Sequence, residues 1–126
     1  MAMAKSSTKH VPLRLYGIRN CDTVKRAQAW LGVAGIAYDF HDFKIEGIDQ
    51  ASLERWCAAL GWEGLINRAG ATFRRLPQPD KVDLDQCRAL ALMRVQPMLI
   101  RRPVIEGSEI LLAGFKPATY RQFFFV

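Results

Sequence analysis

Apolar and polar positions change rhythm along this chain, and each change marks an element. Leu13, Leu15 and Ile18 form an apolar run short enough for a strand, which Gly17 and Asn20 then break. From Val24 the spacing shifts to three- and four-residue steps through Ala27, Trp30, Leu31 and Ala34. That is the stripe of an amphipathic helix, and Gly32 and Gly35 loosen its end. Residues 36–43 alternate as a strand, with Tyr38, Phe40 and Phe43 on its apolar side. Strand, helix, strand at this spacing predicts a βαβ unit with parallel strands and a right-handed crossover.

A block of helices follows. Asp49 is a good N-cap for a helix in which Leu53, Trp56, Cys57 and Leu60 fall at i, i+3, i+4 and i+7, with Gly61 as its stop. Residues 65–70 read as a short helical turn ending at Gly70. Asp83 and Gln86 make a capping-box-like opening for a helix over 84–95, closed by Pro97. Met98-Leu99-Ile100 reads as a third strand, interrupted by Arg101-Arg102-Pro103. Residues 104–106 and 109–112 then flank Gly107-Ser108, a two-residue hairpin loop with glycine first. Gly114 and Pro117 introduce a last helix over 118–125, whose Tyr120 and Phe123-Phe124-Phe125 should cover the sheet. The order is β-α-β, helices, then β-β-α.

A chain of 126 residues, half of them apolar, suits one domain with one core. Residues 1–10 are polar and read as a disordered tail. Residues 11–126 read as a single domain with a helical insertion at about 48–97. No apolar run is long enough to span a membrane, and no signal-peptide core is expected. Three cysteines, odd in number and far apart, do not form a disulfide framework and fit a reducing cytoplasm. The net charge of +6 points to anionic partners. Without Lys5 and Lys9, however, sixteen basic residues face twelve acidic ones, too modest an excess to argue for nucleic acid.

The candidate chemistry centres on Cys21, where a strand hands over to a helix. Free N–H groups and the positive end of the macrodipole favour a thiolate there, and Arg19, Lys25 and Arg26 add positive charge. Local sequence leaves open the alternative of a small loop residue. His41 sits among acidic and aromatic residues, but no motif makes it a base, and a strand-edge surface position fits it better. Cys57 and Cys87 fall on apolar stripes and should be buried. Arg68, Arg74 and Arg75 have no acid between them. They are either solvated surface or the guanidinium forks of an oxyanion site. No residue pattern indicates a metal.

Four spaced motifs carry a resemblance. The stretch Tyr16-Gly17-Ile18-Arg19-Asn20-Cys21-Asp22-Thr23-Val24-Lys25, then Ile66-Asn67-Arg68, Met98-Leu99-Ile100-Arg101-Arg102-Pro103 and Gly114-Phe115-Lys116-Pro117 resemble the ArsC/Spx family, most nearly its YffB-like branch, over nearly all of residues 12–125. The resemblance implies an α/β, thioredoxin-like fold with a four-stranded mixed sheet and a helical insertion between its halves. It also implies a cis Arg102–Pro103 bond. In arsenate reductases of this family a cysteine attacks the oxyanion and three arginines hold it. Cys21 matches the nucleophile, while Arg68 and Arg102 match two arginines. Lys116 stands at the third position and keeps the charge without the bidentate fork. Val24 occupies the place of the second cysteine in the Cys-x-x-Cys of Spx regulators.

A lone thiol needs an external resolving thiol, and glutathione carries two carboxylates that suit these cations. The resemblance thus implies a glutathione-dependent thiol (disulfide) reductase with Cys21 as nucleophile. Arg19, Lys25, Arg68, Arg102, Pro103 and Lys116 would shape the site, glutathione would be the co-substrate, and no cofactor would be tightly bound. The partner would be an anionic or disulfide substrate. The alternatives are an Spx-like regulator that contacts RNA polymerase without catalysis, and a true arsenate reductase.

Overall fold

The computed structural model describes residues 13–125, so the tail expected at 1–10 lies outside the described residues. Strand β1 spans Arg14–Gly17, helix α1 Asp22–Ala34 and strand β2 Asp39–Asp42. Short helices α2 (Phe43–Glu46), α4 (Trp62–Leu65), α5 (Ala71–Arg74) and α6 (Gln78–Lys81) accompany the longer α3 (Gln50–Leu60) and α7 (Gln86–Val95). A 3-10 turn, Pro97–Leu99, precedes β3 (Val104–Glu106), β4 (Leu111–Ala113) and α8 (Pro117–Phe124).

The four strands form one mixed sheet in the order β2-β1-β3-β4. Strands β1 and β2 are parallel, and the other pairings are antiparallel. This is the α/β, thioredoxin-like arrangement. Its two central strands send alternate side chains to opposite faces. Leu15 and Ile105 pack with Val24, Ala27, Leu31 and Tyr120 of α1 and α8. Tyr16 and Val104 pack with Leu53, Trp56 and Met93 of the insertion and with Leu99 just after it. Arg55 of α3 ties the insertion to the sheet through Nε and Nη2, each donating to Glu106 at 3.1 Å. Among the described residues, no helix is long and apolar enough to cross a membrane.

Gly17 is required by close approach. A Cβ placed there would stand 2.8 Å from Val24 Cγ2, closer than two carbons can pack, so Val24 and α1 would have to shift away from the end of β1.

Several boundaries differ from the sequence expectation. Strand β2 ends at Asp42 because its carboxylate accepts from Lys44 N at 2.8 Å and Ile45 N at 3.3 Å, capping α2 and turning Phe43 into the core. The helical turn expected at 65–70 is instead α4, which ends at Leu65. The following turn is held by Asn67 Oδ1, which accepts from Ala69 N. Met98-Leu99-Ile100 is not a sheet strand. Pro97 opens a 3-10 turn, and only Ile100 makes an isolated antiparallel bridge, to Ile66. The third strand is therefore Val104–Glu106 alone.

The hairpin is displaced by one residue. Glu106 pairs with Leu111 and Gly107 N donates to Ile110 O, which leaves Ser108-Glu109 as the loop. Helix α7 starts at Gln86 with Asp85, not Asp83, as its cap, accepting from Arg88 N at 2.9 Å. The sequence is apolar on several sides of α7, and Ala89 and Met93 are the residues buried. Cys87 is therefore exposed, and Val95 is 79% exposed. Of the C-terminal aromatic run, Phe124 packs beside Tyr120, while Phe123 and Phe125 are exposed.

Candidate active-site cleft

Cys21 is the N-cap of α1, in extended backbone, and its carbonyl accepts from Lys25 N at 2.9 Å. The first helical N–H groups have no partner within the helix, so the half-buried thiol stands beside unspent donors. It belongs to the partly buried fringe that packs against both cores. Thr23, two residues further on, borders the same space.

That space is a cleft of about 730 Å³ between the opening of α1, the insertion and the end of β4. Three cations border it: Arg101, Arg102 and Lys116. No acidic residue does so among the described residues. Arg102 is pinned by Nη1, which donates to Met98 O at 2.7 Å, while its Nε is buried without a partner. Arg101 Nε donates to Gly64 O at 3.1 Å, joining this segment to α4. Lys116 is the exposed N-cap of α8. Gly114 adopts φ +88°, where a side chain is strained, and this turns the chain from β4 toward Lys116. Its N–H donates to Pro103 O at 2.8 Å, and its carbonyl accepts from Tyr120 Oη at 2.8 Å. The Arg102–Pro103 bond is cis, and Pro103 is buried.

The structure thus brings together Cys21, Arg102 and Lys116. Arg68 stands outside the cleft lining, with its guanidinium over the Trp62 ring at 5.5 Å and 3.9 Å from Glu63. Its neighbour Asn67 borders the cleft in its place. Arg19 is 77% exposed and 3.9 Å from Asp42, and Lys25 is exposed; neither lines the cleft. Sequence reasoning missed Thr23, Asn67 and Arg101 as lining residues, although each lies within a motif that it singled out. His41 is an edge-strand residue whose Nε2 meets Gly47 O at 2.7 Å and whose ring lies 4.8 Å from Tyr16. Cys57 is buried, and desolvation pushes its thiol above the ordinary range, against reactivity.

The model of the ArsC family matches residues 16–123. The chain belongs to the ArsC family. The matched span opens on β1 and runs almost to the end of α8, so it includes every residue that borders the cleft. Among solved structures, a protein named YffB is 51% identical, with 87% of this chain and 96% of that chain covered and a TM-score of 0.85. An arsenate reductase (ArsC) related protein from Brucella melitensis is 46% identical, covering 92% and 97%, with a TM-score of 0.73. The global transcriptional regulator Spx of Streptococcus agalactiae is 25% identical over 109 residues, covering 82% of this chain and 77% of that protein. This ArsC-family chain is thus YffB-like, with Val24 and not a second cysteine three residues after Cys21.

Proposed function

We propose that this ArsC-family protein is a glutathione-dependent thiol (disulfide) reductase that works through Cys21 alone. The observation that carries the reading is the meeting of Cys21 with Arg101, Arg102 and Lys116 around one cleft that no acid borders among the described residues. Its volume of about 730 Å³ is the size of a small-molecule site, with room for a tripeptide. The Cys21 thiolate attacks the glutathione sulfur of a mixed disulfide. The old S–S bond breaks, the substrate leaves as a thiolate and takes a proton from water, and Cys21 becomes disulfide-linked to glutathione. A second glutathione thiolate attacks the glutathione sulfur of that adduct, restoring Cys21 and releasing oxidised glutathione. The cations hold the glutathione carboxylates and stabilise the thiolates. The likeness to the arsenate reductase related protein of Brucella melitensis supports thiol chemistry at this site.

Arsenate is the less favoured oxyanion substrate, because Arg68 faces Trp62 and Lys116 lacks a fork. The likeness to Spx favours a second reading, a regulator that contacts RNA polymerase. Steady-state reduction of a small glutathione mixed disulfide by glutathione separates them. Turnover that is abolished in Cys21→Ser supports the reductase. Turnover of arsenate but not of the disulfide supports the oxyanion enzyme, and turnover of neither favours the regulator.

A further inference from the structure

One wall of the cleft is a strand edge, and its hydrogen bonds indicate a class of substrate. Among the described residues, strand β4 is the outer strand of the sheet and pairs only with β3. Its ladder is flanked by Gly107 N donating to Ile110 O and by Gly114 N donating to Pro103 O. Bonded pairs alternate with non-bonded ones in an antiparallel ladder. The bonded pairs are therefore 107 with 110, 105 with 112, and 103 with 114. Leu111 and Ala113 must then turn their N–H and C=O groups away from β3, outward. Leu111 and Ala113 pack toward the insertion, whereas Leu112 packs toward α1 and α8 on the opposite face. Yet all three residues border the same cleft as Cys21. Successive residues from opposite faces share one cavity only where that cavity runs along the strand's edge.

We infer that this edge docks an extended, cysteine-bearing segment of another protein, which adds to β4 as a fifth strand and presents its thiol-modified cysteine to Cys21. The inference rests on the reductase reading and deepens it, making the physiological disulfide a glutathionylated protein and not only a small molecule. Backbone pairing would supply affinity without demanding one sequence. The charge of the cleft adds a preference. Arg101, Arg102 and Lys116 face the docked segment, so acidic residues flanking its cysteine are favoured. The chemistry is that of the proposed cycle. Cys21 takes the glutathionyl sulfur, and the docked segment leaves as a free thiol after gaining a proton from water.

The test uses the full chain as Cys87→Ser, which removes the exposed thiol of α7. The probe is a peptide with one cysteine between Asp and Glu residues, activated as a mixed disulfide with thionitrobenzoate. This reagent transfers the peptide itself onto Cys21, so trapping does not depend on glutathione turnover. Hydrogen exchange is then read at the Leu111 and Ala113 amides of the adduct. Pairing predicts that both slow by roughly tenfold, as for amides entering a ladder. A peptide N-methylated at alternate residues should be trapped more slowly and give no protection. No adduct, an adduct without protection at 111 and 113, or equal behaviour of the methylated peptide overturns the inference. Failure of glutathione turnover with protection intact would instead count against the proposed reaction.

Discussion

Cys21 is the residue on which α1 opens and Lys116 the residue on which α8 opens, and both border one cleft. Two helix N-termini and a lysine therefore add positive potential where a thiolate and its anionic partner would meet. Reversing the charge with Lys116→Glu should slow the reaction of Cys21 with glutathione disulfide roughly tenfold at low salt and less at high salt, because Lys116 is exposed and screened. Stopped-flow rates at two ionic strengths check this. Lys116→Arg should strengthen sulfate or arsenate binding, since it supplies the missing fork.

The three cysteines should separate by labelling. Cys57 is 3% exposed with a thiol pushed up by burial, so it should stay unmodified in the folded protein. Cys21 should alkylate fastest, and Cys87, exposed on the first turn of α7, should follow. Iodoacetamide labelling with peptide mapping reads the order. Cys57 reacting as fast as Cys21 would contradict it.

Trp56 is fully buried, but its Nε1 has no hydrogen-bond partner. Trp56→Phe loses volume yet removes an orphaned donor, so the two effects oppose and the net cost should stay below about 1.5 kcal/mol. Trp56→Ala opens a cavity between α3 and Tyr16 and should cost about 3–5 kcal/mol. Urea unfolding of the two variants distinguishes packing from polarity.

Burial raises the phenols of Tyr16 and Tyr120 above their ordinary value. In the fold they stay protonated at a pH where the unfolded chain ionises. Their contribution to stability is therefore complete below about pH 10 and is lost as pH rises above it. Tyr120→Phe should flatten that alkaline loss. It should also cost about 1 kcal/mol near neutrality, because Gly114 O loses its donor. Urea midpoints on either side of pH 10 check both effects.

The sequence was most legible where one rhythm allowed one structure. The α1 stripe, the Asp49 cap and the Pro117 start needed only local rules, and each appears in place. Met98-Leu99-Ile100 misled because burial in the insertion and burial in a sheet leave the same apolar triplet. Cys87 misled because α7 is apolar on several sides, so periodicity did not single out the Ala89–Met93 face. The cleft required tertiary information. Cys21, Arg102 and Lys116 were found as separate motifs. That Asn67 and not Arg68 borders the cleft depends on how the chain leaves the Ile66–Ile100 bridge, which no local pattern records.

In the proposed cycle Cys21 exchanges with glutathione while Arg102 and its neighbours hold the anion. Incubation with glutathione disulfide followed by intact-mass and peptide analysis tests it most directly. One glutathione adduct is expected on Cys21, released by added glutathione and formed roughly ten times more slowly in Arg102→Ala, the loss of one charge-assisted contact. No adduct on Cys21, or an equal rate in Arg102→Ala, would contradict it.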